Sequence, residues 1–122
     1  MIAIRGATTI LEDNEENIKN ASVELINNIL RSNNLIEKDI ISIIFSCTLD
    51  IKSSYPGKYI RECFSFKKVA IMHFNEMAVE NSLEKCIRVM VTANREFSDN
   101  IQFIYLNGAV ELRKDLYNDK VT

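Results

Sequence analysis

The segment from Asp39 to Thr48 restricts the fold of this chain more than any other part of the sequence. Its residues are nearly all apolar and β-branched, namely Ile40, Ile41, Ile43, Ile44 and Phe45. A strand that is apolar on both of its faces is covered on both faces in a folded protein. The segment therefore predicts a strand in the interior of a sheet, with one layer of structure packed on each side.

One long amphipathic helix is available to form the first of these layers. Asp13 can cap a helix, and Glu16 three residues later completes a capping-box pattern. From there to about Ser32, apolar residues recur at spacings of three and four. This stripe consists of Ile18, Ala21, Leu25 and Ile29. Because no second long helix is predicted, we expect a neighbouring subunit to cover the other face of the sheet.

Hydrophobic alternation and turn signals divide the rest of the chain into short elements. Four further strands are predicted over residues 2–9, 69–74, 85–93 and 101–106. Pro56 begins a short helix that reaches about Phe64, Asn107-Gly108 predicts a turn, and residues 109–112 predict a short return strand. The order β-α-β-(short α)-β-β-β indicates an α/β (α+β) fold in which a mixed β-sheet packs on one long helix.

Composition and charge argue against several classes of function. The chain has 15 basic and 17 acidic residues, a near-balance that does not favour nucleic-acid binding. No apolar run approaches the roughly 18 residues of a membrane span, and residues 1–5 do not begin a signal peptide. Three cysteines without a CxxC pair argue against a disulfide framework. His73 is the only histidine and has no ligand-spaced partners. We therefore expect a cytoplasmic protein without a metal site, a membrane partner or a nucleic-acid partner.

The strongest functional signal is the placement of arginines inside apolar strands. Arg5 stands among small residues in the first strand, and Arg88 lies in the middle of the strand over residues 85–93. Burying a guanidinium group without a partner costs several kcal/mol, so each arginine predicts an anionic partner. That partner is either a protein carboxylate, such as Glu76 for Arg88, or a ligand carboxylate that a planar guanidinium binds through two hydrogen bonds. No catalytic triad, P-loop or dinucleotide fingerprint accompanies these arginines.

Six segments of the chain, in order and at nearly matching spacing, resemble the AroH-class chorismate mutases. They are Ile4-Arg5-Gly6-Ala7-Thr8-Thr9, Tyr55-Pro56-Gly57-Lys58-Tyr59-Ile60-Arg61-Glu62, Asn75-Glu76-Met77, Leu83 to Thr92, Ile104-Tyr105-Leu106 and Leu112 to Leu116. The resemblance implies one domain over residues 1–116, followed by a mobile tail over residues 117–122. It also implies a pseudo-barrel homotrimer with its active sites between adjacent subunits. No built-in feedback control is expected, because the domain carries no obvious regulatory extension.

This resemblance implies a reaction and a role for each matching residue. The enzyme would rearrange chorismate to prephenate, in the synthesis of phenylalanine and tyrosine, without any cofactor. Arg88 would donate to the ether oxygen and the side-chain carboxylate of chorismate. Arg5 and Tyr105 would bind the same carboxylate, and Glu76 would accept a hydrogen bond from the ring hydroxyl. The remaining substrate-binding residues would be Tyr55, Gly57, Lys58, Arg61, His73, Leu112 and Arg113.

Two departures from the family pattern keep other interpretations open. His73 stands where the family has a cysteine close to the substrate hydroxyl, and Tyr55 stands where it has phenylalanine. His73 can also be a partly buried strand histidine, and Tyr105 can be a packing residue. Lys58 can be a solvated lysine, and Arg61 can pair with an acid such as its neighbour in the chain. The alternative functions are an enamine/imine deaminase-like enzyme and a non-catalytic, ligand-binding trimer of similar fold.

Overall fold

The computed structural model describes residues 1–113, which form a single mixed sheet with both α-helices on one side. The strands are β1 (Ile2–Thr9), β2 (Ile40–Cys47), β3 (Ala70–Asn75), β4 (Cys86–Ala93) and β5 (Ile104–Tyr105). The α-helices are α1 (Glu15–Ser32) and α2 (Pro56–Cys63), and two 3-10 helices span Glu37–Asp39 and Asn107–Arg113. The strand order is β3-β2-β4-β1-β5. β4 pairs antiparallel with β1 and β2, whereas β5 and β3 are parallel to β1 and β2, respectively.

The main hydrophobic core lies between one face of the sheet and the apolar stripe of α1. The helix buries Ile18, Leu25, Ile26 and Ile29 in this layer. The sheet contributes Ile4, Ile43, Phe45, Val89 and Val91. Side chains alternate between the two faces of a strand, so these buried residues identify the covered face along each strand. The predicted α/β (α+β) class, with a mixed sheet packed on one long helix, is confirmed.

The opposite face, called here the open face, is largely uncovered within residues 1–113. Only the second 3-10 helix lies over one end of it, against Ala7 and Tyr105. Three apolar side chains of this face are strongly exposed: Met72 at 56%, Phe74 at 51% and Met90 at 39%. β2 is accordingly buried on its inner side and only half-buried on the other. The cover expected on this second side stays a prediction.

The start of α1 differs from the prediction by one residue. Asn14, not Asp13, caps the helix, and its side-chain oxygen accepts a hydrogen bond from the amide of Asn17 at 2.8 Å. The Asp13 carboxylate instead accepts hydrogen bonds from the amides of Lys52 and Ser53, at 3.0 and 3.1 Å. The predicted capping box is therefore wrong, because its aspartate is used to hold the distant loop that precedes α2.

The strand predicted over residues 101–106 contains only Ile104 and Tyr105. The side chain of Asn33, at the end of α1, accepts from the amide of Gln102 at 2.7 Å and donates to its carbonyl at 3.0 Å. These are the backbone groups that a longer strand would use for pairing. The side chain of Asn33 thus takes the place of a neighbouring strand before Ile104.

The return strand predicted over residues 109–112 is wrong, because this segment is part of the 3-10 helix Asn107–Arg113. Asn107 adopts a left-handed φ of 54° at the predicted turn. Its side-chain amide donates to the hydroxyl of Thr8 at 3.0 Å, and the amide of Gly108 donates to the hydroxyl of Thr9 at 2.9 Å. These bonds tie the helix to the end of β1. The predicted tail over residues 117–122 lies outside the described residues.

Candidate active site

Arg5 and Arg88 emerge side by side from neighbouring strands on the open face. In the antiparallel pair of β1 and β4, Arg5 lies opposite Met90 and Ala7 lies opposite Arg88. Paired residues point to the same side of a sheet, so both guanidinium groups stand on the face that no α-helix covers. On its other side, Arg88 faces Ser46 of β2. The small neighbours leave space above the sheet, as the sequence pattern predicts.

Glu76 brings a carboxylate to the same place. It directly follows β3, and its amide donates to the carbonyl of Cys47 at 2.8 Å. Its Oε2 atom lies 3.3 Å from Nη1 of Arg88, in an ion pair whose side chains are 24% and 32% exposed. That oxygen is buried and accepts no hydrogen bond from any residue between 1 and 113. A guanidinium has five N–H donors, so one contact with Glu76 is compatible with a second, anionic partner for Arg88.

Tyr105 completes a cluster of four side chains around one cavity. β5 runs parallel to β1 with Tyr105 opposite Ala7, which places the phenol on the open face. The side chain is only 3% exposed and packs with Ala7, so it is both a packing residue and part of the cavity wall. The cavity has a volume of about 220 Å³, and Arg5, Glu76, Arg88 and Tyr105 all line it. Four different strands or strand ends thus contribute one functional group each.

A second cavity, at the first turn of α2, collects other predicted site residues. Tyr55, Lys58 and His73 line this space of about 650 Å³, together with Lys52 from the preceding loop. Pro56 occupies the first turn of α2, as the sequence predicts. Neither Arg5 nor Arg88 lines this cavity. Within one chain, the predicted site is therefore divided between two separate cavities.

His73 has its contacts on the covered side of the sheet. It pairs with Phe45 in the register of β2 and β3, and its ring stacks on that of Phe45 at 5.4 Å between centroids and 11° between planes. The Nε2 atom accepts a hydrogen bond from the amide of Gly57 at 2.9 Å. The ring of Tyr55 lies 5.1 Å away at a tilt of 60°. Burial lowers the pKa of His73, because it penalises the charged imidazolium.

The remaining predicted residues lie around these two cavities. Gly57 is buried, and a Cβ atom there would come within 2.7 Å of Ile71 and 2.8 Å of His73. Arg61 donates to the carbonyls of Phe66 and Val69, at 3.1 and 2.9 Å, so it holds the turn between α2 and β3. Leu112 is half-buried beside the cluster that contains Tyr105 and Ala7, and Arg113 ends the second 3-10 helix.

Asp50 is a positioning residue that sequence reasoning missed. Its carboxylate accepts hydrogen bonds from the hydroxyl of Thr48 and from the amide of Lys85 at 2.9 Å. Burial alone would raise the pKa of Asp50, but these hydrogen bonds outweigh it and lower the pKa. The carboxylate thereby ties the end of β2 to the start of β4, the strand that carries Arg88. The Thr48-x-Asp50 spacing after a strand, typical of side-chain-bonded turns, is the signal that would have found it.

Fold and cavity together define a class of protein. It is a small α+β protein whose mixed sheet brings two arginines, a carboxylate and a phenol together around one cavity. In the part of the chain with described structure, no helix is long and apolar enough to cross a membrane. The same part contains no group of three or more His, Cys, Asp and Glu side chains that could hold a metal ion.

Comparison with known proteins identifies the family. Residues 1–116 match the family model of chorismate mutase type I, so the chain belongs to that family of isomerases. Chorismate mutase AroH of Bacillus subtilis (strain 168) is 37% identical over 120 residues, which are 98% of this chain and 94% of that protein. Chorismate mutase AroH of Thermus thermophilus is 34% identical over 115 residues, which are 93% of each.

A solved structure supports the same assignment. A chorismate mutase from Clostridium thermocellum is 40% identical and matches with a TM-score of 0.85, covering 89% of this chain and 97% of that one. The resemblance to AroH-class chorismate mutases is confirmed, and so are the predicted fold class and the predicted enzyme class. The matches favour the mutase over the deaminase-like enzyme and the non-catalytic trimer.

Proposed function

We propose that this protein converts chorismate to prephenate, for phenylalanine and tyrosine synthesis, in the cavity on the open face. The observation that carries the proposal is the convergence of Arg5, Glu76, Arg88 and Tyr105 on one cavity of about 220 Å³. Chorismate is a dianion, and two neighbouring guanidinium groups are suited to its carboxylates. Family membership indicates the reaction, and the residues that line the cavity are those that this chain would use to catalyse it.

The reaction is a concerted rearrangement in which one C–O bond breaks while one C–C bond forms. It needs no nucleophile, hydride or proton transfer, so the protein has two tasks. It must hold the substrate in its folded, reactive conformation. It must also stabilise the negative charge that grows on the ether oxygen, and fixed donors in a partly dry site do this most effectively.

Each side chain of the cavity has a role in this proposal. Arg88 donates to the ether oxygen and to the side-chain carboxylate, while Arg5 and Tyr105 bind that carboxylate from the neighbouring strands. Glu76 accepts the hydrogen bond of the ring hydroxyl. The Oε2 atom of Glu76 supports this role, because it is buried and, apart from its 3.3 Å ion-pair contact with Arg88, accepts no hydrogen bond within the described chain. No cofactor takes part in these steps.

We further propose that the site is completed by a second copy of the chain in a homotrimer. The exposed apolar side chains of the open face support this assembly, because such surfaces mark protein interfaces. The residues that line the cavity at α2 of the neighbouring protomer would then form the other wall of the site. The contributions of that protomer would be Tyr55 against the ring, Gly57 and His73 in the wall, Lys58 near the ring carboxylate and Arg61 at the rim. Leu112 and Arg113 would close over the substrate.

The place of action that we propose is the cytoplasm, without nucleic-acid or membrane partners. All three cysteines are free, two of them buried, as is usual in a reducing compartment. Burial raises the pKa of Cys47 to about 12 and that of Cys86 to about 11, so both thiols stay protonated and unreactive.

The test is to incubate the purified protein with chorismate and to follow the loss of its ultraviolet absorbance together with the appearance of prephenate. Turnover well above the spontaneous background is expected. Turnover at the background rate, by protein that light scattering and circular dichroism show to be folded, would refute the proposal.

The shared site has a separate test. Arg88→Ala and Lys58→Ala protomers, each inactive or nearly so alone, are co-expressed with different tags, and mixed assemblies are isolated. If Arg88 and Lys58 of one site come from different protomers, about one site of the three in each mixed trimer contains both side chains. Recovered activity is expected. Mixed assemblies no more active than the parents would show that each site belongs to one chain.

A further inference from the structure

The helix α2 has no N-terminal cap of its own. Its N-cap residue, Tyr55, makes no side-chain hydrogen bond to the first turn. The first amides of a helix lack partners within the helix and need an acceptor from elsewhere. The amide of Gly57 finds this acceptor in Nε2 of His73, at 2.9 Å, from the strand β3. The imidazole therefore serves as the cap that the local sequence of α2 does not provide.

The position of this imidazole is determined by packing on several sides. Its ring lies parallel to that of Phe45, which is fully buried in the core. Tyr55 contacts it from the side of α2. Gly57 can approach this closely only because it has no Cβ, which would come within 2.9 Å of Nε2. A fixed ring at this place fixes the first turn of α2, and with it Tyr55 and Lys58.

The cap works in only one protonation state. To accept from Gly57, Nε2 must carry a lone pair, which requires the neutral imidazole with its proton on Nδ1. A protonated ring would direct a second N–H at the Gly57 amide. It would also place positive charge at the positive end of a helix dipole. Protonation would therefore push the first turn of α2 away from β3.

The surroundings favour the neutral imidazole at neutral pH. The titratable or charged groups along its cavity are Lys52 and Tyr55 from the loop before α2, Lys58 from α2, and Cys47 from β2. No carboxylate lines that cavity, and the nearby Asp13 carboxylate already accepts hydrogen bonds from the amides of Lys52 and Ser53. An imidazolium would therefore have two cations and no carboxylate along the wall of its cavity. Burial alone lowers the pKa of His73 below its ordinary value. Loss of the cap is thus expected only below the pH at which an ordinary histidine becomes protonated.

We infer that His73 is a positioning residue, whose neutral ring caps α2 and so holds Tyr55 and Lys58 in place for chorismate. This role rests on the proposed function, because it assigns these two residues to the substrate site. It differs from the contact with the substrate hydroxyl that the family resemblance implies. A group that only contacts substrate would leave the Gly57 amide unaffected when it titrates.

The first test is nuclear magnetic resonance of the whole protein between about pH 5 and pH 8, a range in which histidine titrates. The protein has one histidine, so the imidazole signals need no assignment by mutation. The Gly57 amide shift is expected to follow the titration of His73 with the same midpoint, below the ordinary value. A Gly57 amide that does not move while His73 titrates would overturn the inference, whatever the enzymatic activity.

The second test compares two variants of the same position. His73→Phe keeps a flat ring but loses the acceptor, and we expect kcat/KM to fall on the order of tenfold at neutral pH, mainly through KM. His73→Gln can offer an amide oxygen to Gly57 without titrating. It should recover part of the loss and lack the acidic limb of kcat/KM that coincides with the His73 midpoint in the native protein.

These outcomes separate the inference from the proposed function. A native protein that fails to convert chorismate at neutral pH refutes the function, while the Gly57 titration still tests the cap. An acidic limb that persists unchanged in His73→Gln refutes the cap as the cause of the pH dependence. If His73→Phe keeps native kcat/KM, His73 does not position the site. If that variant fails to fold, the titration and the glutamine variant decide.

Discussion

Replacing Arg88 with alanine should remove nearly all turnover while the protein stays folded. The ion pair between Arg88 and Glu76 is 3.3 Å long and joins side chains that are 32% and 24% exposed, so its loss, which leaves a buried carboxylate oxygen unpaired, should lower the free energy of unfolding by about 1–3 kcal/mol. Catalysis should suffer more. Loss of one donor to a developing oxyanion costs roughly 10²–10³ in rate, or about 2.7–4 kcal/mol. Arg88 would make two such contacts, so this range is a lower bound.

The assay measures kcat/KM for chorismate and the urea midpoint on the same preparations. Arg88→Lys keeps the charge but not the planar fork of donors, so it should also lose most of its activity. Arg95→Ala is the matched control, because Arg95 donates to the carbonyls of Asn33 and Asn34 and does not line the cavity. It should lower stability and leave kcat/KM unchanged. A folded Arg88→Ala protein that retains more than about a tenth of native kcat/KM would refute the assigned role.

Three further substitutions test other parts of the structure. Tyr105→Phe keeps the buried ring but removes a donor to the substrate carboxylate, so kcat/KM should fall roughly 10–100-fold. An unchanged kcat/KM would contradict that role. Gly57→Ala places a methyl group against the ring of His73 and should lower the free energy of unfolding by about 1–3 kcal/mol. In the His73→Ala background, where this ring is absent, the same substitution should cost less. Equal costs in both backgrounds, by urea unfolding, would show that the imidazole is not the obstacle. Asn33→Ala leaves the backbone groups of Gln102 without their partner and should cost about 1–3 kcal/mol. A native urea midpoint in this variant would mean that the clamp is dispensable.

The dependence of stability on pH gives one more measurement. The pKa of His73 is lower in the folded protein than in the unfolded chain, where it titrates near 6.5. Between these two pKa values the unfolded chain binds more protons, so the free energy of unfolding should fall as pH drops below about 6.5. His73→Gln should lack this component, and an equal fall in that variant would assign it to another group.

Local patterns in the sequence were sufficient for the long elements and for the placement of the two arginines. The alternation of residues along β1 and β4 predicts that Arg5 and Arg88 lie on the strand faces turned away from the main apolar positions. In the structure, both side chains lie on the open face. In the same way, the apolar stripe of α1 predicted which face of this helix packs on the sheet. These features follow from periods of 2 and 3.6 residues, which a chain carries whatever it packs against.

Other features depend on partners that are distant in the chain. The sequence predicts Asp13 as a helix cap, yet its carboxylate accepts hydrogen bonds from amides of the loop before α2. The sequence predicts a strand that includes residues 101–103, yet the side chain of Asn33 forms hydrogen bonds with the amide and the carbonyl of Gln102 that strand pairing would use. In each case a side chain met backbone groups at least 39 residues away, and no local pattern contains such a contact.

The sequence by itself determined the family, the mixed sheet on one long helix, and the set of charged residues available for an anionic substrate. Only the tertiary structure decided how these residues are divided, with Arg5, Glu76, Arg88 and Tyr105 in one cavity and Tyr55, Lys58 and His73 in another. It also decided that the imidazole of His73 meets the Gly57 amide. The physical reason is that a strand pattern specifies the face on which a side chain stands. The order and register of the strands specify its neighbours, and these arise from packing across the whole sheet.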